Sequence, residues 1–98
     1  MKVSTQSVNF NADRKLIDFI EKKLSSLPRF HDKIIGAEVF LKVQKTSDKE
    51  NKITEVKVSI PGNELMVKRE TRTFEEGINL AAESMKRQLK RTKEKQRV

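Results

Sequence analysis

The stretch IGAEVFLKVQKTSDKENKITEVKVSIPGNELMVKRET, Ile35 to Thr71, contains three runs in which side chains of opposite character alternate. In the first, Ile35, Ala37, Val39, Leu41 and Val43 alternate with Gly36, Glu38, Phe40, Lys42 and Gln44. In the second, Thr54, Val56, Val58 and Ile60 oppose Glu55, Lys57 and Ser59; in the third, Leu65 and Val67 oppose Met66 and Lys68. A period of two belongs to a β-strand covered on one face, because successive Cβ atoms point to opposite sides of a sheet. Pro61, Gly62 and Asn63 supply tight-turn chemistry, and Lys45 to Asn51 is polar and turn-rich, so the runs read as consecutive antiparallel strands.

Outward from this core, Lys2 to Val8 is β-branched and roughly alternating, which predicts a first strand. Asp13 is placed to cap a helix on which Leu16, Ile20, Leu24 and Leu27, with Ile17 beside them, form one apolar stripe; Pro28 marks its end. Downstream, Thr73 caps a last helix that carries Phe74, Ile78, Ala81, Ala82, Met85 and Leu89 on one arc. Gly77 lies inside that helix at a cost of about 1 kcal/mol against Ala, which suggests a strand passing close by. The order is β-α-β-β-β-α. One apolar sheet face and two amphipathic helices predict an α+β fold: a four-stranded mixed sheet with both helices packed on the same face. The β-α-β crossover predicts a parallel, right-handed pairing of the first two strands.

At 98 residues the chain is expected to form a single domain spanning 1–98. It has no Cys, which removes disulfides, thiolate zinc sites and Cys nucleophiles. Neither a secretory h-region nor an apolar run of membrane-spanning length is visible. His31 is the sole histidine and reads as an ordinary surface residue; with no ligand spacing and no convergent carboxylates, no catalytic residue, metal or cofactor is expected. Phe30 reads as core sealing the end of the first helix, while Phe40 and Met66 fall on the outward sheet face.

The formal charge is +8, and residues 85–98 (MKRQLKRTKEKQRV) contain seven cations against the single carboxylate of Glu94. Helix-dipole complementarity is worth only about 0.3–1 kcal/mol per cation, and cations at helical spacing repel one another, so a polyanion partner is the stronger reason for the cluster. On the helical wheel Lys86, Lys90, Lys93 and Arg97 lie on one flank of the apolar arc and Arg87, Arg91 and Lys95 on the other. Lys22, Lys23 and Arg29, on or just after the first helix, extend the same electropositive side. With five Phe and no Tyr or Trp, recognition of phosphates and shape fits better than base stacking. A membrane-surface role is not expected, because no bulky apolar face remains beyond Leu89.

The segments LIDFIEKKLSSLPRFHDKI (Leu16 to Ile34), AEVFLKVQK (Ala37 to Lys45), EVKVSIPGNELMVKRE (Glu55 to Glu70) and RQLKRTKEK (Arg87 to Lys95), in this order, carry a resemblance across essentially the whole chain. It resembles the short hibernation promoting factors and ribosome-associated inhibitors of bacteria, also called ribosomal subunit interface proteins. The resemblance implies a cytoplasmic, ribosome-associated, non-enzymatic protein that is monomeric when free. Such a protein binds rRNA of the small ribosomal subunit in the channel between head and body, overlaps the places of mRNA and tRNA, and reversibly blocks translation during stress. It also implies a separate ribosome modulation factor as a partner in ribosome dimerisation. The C-terminal dimerisation domain of long family members is expected to be absent.

Position by position, the resemblance implies rRNA phosphate contacts at Lys23, Arg87, Arg91, Lys93, Lys95 and Arg97. Lys22, Arg29, Lys86 and Lys90 join them on charge and face. The chain departs from the family pattern at Ile17, Ser26 and Glu75, where the family often has Arg or Lys, Lys, and Tyr. Cations at Lys22, Lys86 and Lys90 can compensate. The alternative function is a general double-stranded RNA or DNA binding module.

Overall fold

The computed structural model describes residues 1–45, 47 and 49–95. Its elements are β1 (Lys2–Val8), α1 (Arg14–Leu24), a 3-10 turn (Leu27–Arg29), β2 (Gly36–Val43), β3 (Lys52–Ile60), β4 (Asn63–Thr71) and α2 (Phe74–Lys95). The four strands form one sheet in the order β1-β2-β3-β4. β1 pairs parallel with β2, and β2-β3 and β3-β4 are antiparallel. This is the expected α+β arrangement, and both helices contribute to one core with the same sheet face.

Alternation in the sequence becomes burial in the structure. Ala37, Val39 and Leu41 of β2, Thr54, Val56, Val58 and Ile60 of β3, and Leu65, Val67 and Thr71 of β4 are buried under the helices. Ile20 and Leu24 from α1 meet them, as do Phe74, Ile78, Ala81, Ala82, Met85 and Leu89 from α2. The hydrophobic effect stabilises this single cluster, at roughly 25 cal/mol for each Å² of apolar surface removed from water.

Ile35 departs from the expected pattern, being 65% exposed. The ladder begins at Gly36, opposite Ser59, and the Ile35 N–H donates to the Ser59 carbonyl at 2.8 Å as the chain turns into the sheet. Its side chain lies with Lys2, Gly36, Glu38 and Ser59 on the helix-free side, and the neighbouring Ile34 packs against the core instead. His31 is also corrected: it is buried, 1% exposed, and its Nδ1 accepts the Lys33 N–H at 3.1 Å. The polar HDK context suggested solvent, but the chain must fold back from the 3-10 turn toward β2, which carries the imidazole inward.

The end of α1 is set one turn before Pro28. Ser25 and Ser26 donate their hydroxyls to the carbonyls of Lys22 and Lys23, at 2.6 and 3.1 Å, in place of further helical amides. Leu27 therefore reaches the core from the 3-10 turn rather than from α1 itself. At the other end, Asp13 Oδ1 accepts the Leu16 N–H at 2.8 Å. Replacing Asp13 by Ala is expected to cost about 1 kcal/mol, since one amide of the first turn loses its acceptor. Urea denaturation checks this, with a lowered midpoint at unchanged m-value as the expected outcome.

Candidate nucleic-acid interface

α2 is a helix for local reasons as well as for its buried face. Thr73 Oγ1 accepts the Glu76 N–H at 3.2 Å, Glu75 and Glu76 occupy the first turn, and Lys93 and Lys95 the last, so charge opposes the helix dipole at both ends. Gly77 is where the helix meets the sheet. A Cβ there would lie 2.5 Å from Thr54 Oγ1 and 3.0 Å from Thr71 Oγ1, which is the close approach expected from sequence.

With the apolar side of α2 turned to the sheet, its cations divide into two rows. The row facing the 3-10 turn contains Lys86, Lys90 and Lys93. Arg29, Phe30, Lys90, Lys93 and Glu94 line a cleft of about 330 Å³ there. Lys86 Nζ lies 5.7 Å from the centre of the half-buried Phe30 ring and 3.4 Å from Glu83 Oε1. The aromatic face and the carboxylate together hold the Lys86 ammonium at the rim of this cleft.

The second row faces β4. Arg87 and Arg91 line a cleft of about 310 Å³ together with Met66, Val67, Lys68, Arg69, Ser84 and Gln88. Arg69 is a functional candidate that the charge-run reading missed. The signal was present: Arg69 occupies an inward position of β4 between Val67 and Thr71, where a cation needs a reason. The register confirms that position, with Arg69 opposite the buried Thr54.

Lys22 and Lys23 are exposed in the last turn of α1, and Lys23 Nζ lies 5.6 Å from the centre of the Phe19 ring. They line neither cleft, and Lys95 extends beyond both at the exposed end of α2. Arg97 lies outside the described residues. Among the described residues, ion pairs join Arg14 to Asp18, Lys57 to Glu64 and Lys86 to Glu83. Of the expected contact residues that are described, only Lys86 is therefore matched by a carboxylate, through a surface i,i+3 pair of the kind worth less than about 1 kcal/mol.

The helix-free sheet face has a different electrostatic character. Lys2, Lys42, Lys57 and Lys68 are interspersed there with Glu38, Glu55, Glu64 and Glu70, and Lys57 Nζ meets Glu64 Oε1 at 3.4 Å. Phe40 is half-buried and Met66 55% exposed on this face, as the alternation predicts. No helix among the described residues is long and apolar enough to cross a membrane. The charge imbalance thus belongs to α2 and its surroundings, a geometry suited to phosphate groups arriving along both sides of one helix.

Known proteins share both sequence and fold with this chain. It is 31% identical over 96 residues to a ribosome hibernation promoting factor of Pseudomonas putida, covering 98% of this chain and 90% of that protein. A ribosome hibernation promoting factor of Azotobacter vinelandii is 30% identical over 96 residues, covering 98% and 86% of the two chains. The crystal structure of the N-terminal domain of Thermus thermophilus Protein Y superposes with a TM-score of 0.75 at 26% identity, covering 93% of this chain and 94% of that one. A ribosomal subunit interface protein of Coxiella burnetii shares the fold, with a TM-score of 0.79 at 21% identity over 95% and 98% of the two chains. Residues 3–97 match the family described as sigma 54 modulation protein / S30EA ribosomal protein, and with relatives of this similarity along nearly its whole length the chain belongs to that family.

Proposed function

We propose that this protein is a ribosome hibernation factor that binds rRNA of the small subunit in the channel between head and body and excludes mRNA and tRNA by occupancy. Its family is one of non-enzymatic ribosome-binding proteins. The observation that carries the finer reading is the pair of cation rows along α2, which have Lys86 as their only carboxylate-paired member among the described residues. Each exposed Lys or Arg that meets a phosphate releases condensed counterions, and this supplies affinity without reading sequence.

On this reading residues 1–98 act as one ribosome-binding domain in the cytoplasm, monomeric when free, with a separate modulation factor as a further partner. Arg29, Lys86, Lys90 and Lys93 hold one phosphate track and Arg87 and Arg91 another, with Lys22, Lys23 and Lys95 at the margins. The arrangement needs no base-specific contact, because a folded rRNA surface presents its phosphates in a fixed pattern.

The test is co-sedimentation with separated small and large ribosomal subunits in the presence of excess duplex RNA. Stoichiometric retention by small subunits alone is expected; equal loss to both subunits and to duplex would leave only the general double-stranded binder. If about six phosphates are engaged, log affinity should fall with log salt at a slope of roughly −4 to −5, at ~0.7–0.9 per contact. A flat salt response would instead indicate a packed protein interface.

A further inference from the structure

The cleft between β4 and α2 is built differently from the rest of the basic surface. Arg69 Nη2 donates to Ser84 Oγ at 2.5 Å and its Nη1 to the Lys68 carbonyl at 3.2 Å, while Arg87 Nη2 reaches the same Ser84 oxygen at 3.3 Å. Two guanidiniums thus converge on one neutral hydroxyl, that of the buried Ser84. Arg91 lies one helical turn beyond Arg87 on the same wall. No carboxylate lines the cleft, and Arg69 takes part in no ion pair among the described residues.

Such an arrangement is unfavourable by itself. Arg69 is half-buried at an inward strand position, so its charge is partly desolvated, and its acceptors return no charge to offset that loss. Repulsion between Arg69 and Arg87 adds to the cost. An anion with several oxygens reverses both terms, because planar guanidiniums donate paired N–H groups that match phosphate geometry. The hydroxyl of Ser84 and the carbonyl of Lys68 hold the Arg69 fork in place beforehand, which lowers the ordering cost on binding.

We propose that Arg69, Arg87 and Arg91, organised around Ser84, form a discrete phosphate-binding site, distinct from the diffuse attraction of the other cations. It deepens the ribosome-binding reading and rests on it only for the source of the phosphate: an rRNA backbone phosphate, fixing the register of α2 against the RNA, or a free phosphate compound. Lys2 and Lys42, exposed on the helix-free sheet face, serve as the comparison for charge without organisation.

The test is titration of the free protein with inorganic pyrophosphate, followed through the arginine side-chain N–H resonances. Saturable one-site binding is expected, centred on Arg69, Arg87 and Arg91. Arg69→Met should weaken it at least tenfold, whereas Lys2→Gln with Lys42→Gln should change it less than twofold. Ser84→Ala leaves all three guanidiniums and is helix-compatible; it should weaken binding several-fold, which provides a readout even if Arg69→Met fails to fold. Unsaturable shifts, or equal losses from the Arg69 and the Lys2/Lys42 variants, would overturn the site.

Small-subunit binding by the same variants separates the sources. A tenfold loss for Arg69→Met, with competition by pyrophosphate in the wild type, assigns the phosphate to rRNA. Unchanged subunit binding for Arg69→Met, with pyrophosphate bound by the wild type and lost from the variant, supports the site and assigns it to a free phosphate compound. Failure of the wild type to bind subunits at all would sink the ribosome reading, while the pyrophosphate titration still decides the site.

Discussion

Simultaneous replacement of Arg87, Arg91 and Lys95 by Glu is expected to abolish small-subunit binding, lowering affinity by more than a hundredfold while the melting temperature shifts by only a few degrees. Each swap removes a positive charge and adds a negative one, taking the formal charge from +8 to +2 and placing anions against the phosphates. Three lost contacts plus repulsion at each place amply exceed the ~2.7 kcal/mol that a hundredfold change represents. The fold loses little, because all three side chains are exposed and the like-charge i,i+4 spacing among them is preserved. Against this, a carboxylate in the last turn of α2 opposes its dipole by about 0.3–1 kcal/mol at most, and of the three positions only Lys95 lies in that turn.

A control with the same net charge makes the outcome interpretable. Lys2 and Lys42, exposed on the helix-free face, and Lys45, exposed just beyond β2, can be replaced by Glu together. Sedimentation of this variant with small subunits should persist, weakened only by reduced long-range attraction. Equal loss in both triple variants would mean that total charge, not the α2 rows, governs binding.

Replacing Gly77 by Ala should destabilise the protein by up to about 2 kcal/mol, opposite in sign to the helix-propensity effect. Propensity alone would favour Ala by about 1 kcal/mol. The new methyl, however, would sit 2.5 Å from Thr54 Oγ1 and 3.1 Å from Thr54 Cβ, inside a packed interface where overfilling costs about 1–3 kcal/mol. At roughly 4–8 °C per kcal/mol for a domain of this size, the loss should be plain in a thermal melt. Adding Thr54→Ala to the Gly77 variant should recover part of it, since the hydroxyl that lies nearest the new methyl is removed. Strictly additive effects of the two changes would refute the steric cause.

Most of the sheet was legible because period-two alternation leaves little freedom. Val39, Leu41, Val56, Val58 and Val67 could not switch faces without exposing the whole apolar set. Legibility failed where the chain leaves regular structure. Ile34 and Ile35 are equally apolar, and only the point at which pairing starts, Gly36 opposite Ser59, decides that Ile34 packs inward and Ile35 faces water. His31 was misread for the same reason, because a non-repetitive segment has no period from which burial can be inferred.

The interface divides similarly. Helical spacing placed Lys86, Lys90 and Lys93 opposite Arg87 and Arg91, and the structure keeps those groups apart on two walls. Arg69 escaped notice because it sits in a strand, outside the dense charge run, and gains its relevance only when α2 docks beside β4. Burial pattern and charge had to be combined: an arginine in an inward slot is a stronger signal than one more cation in a basic helix.

The balanced lysines and glutamates of the helix-free sheet face have a consequence for the approach to a partner. Because that face is neutral in sum and the excess lies around α2, the centre of charge is displaced from the centre of mass. In the field of a polyanion such a body experiences a torque as well as a pull, so it rotates α2 forward before first contact. Productive encounters then form a larger fraction of collisions at low ionic strength, and the association rate constant should fall with added salt even where the bound geometry is unchanged.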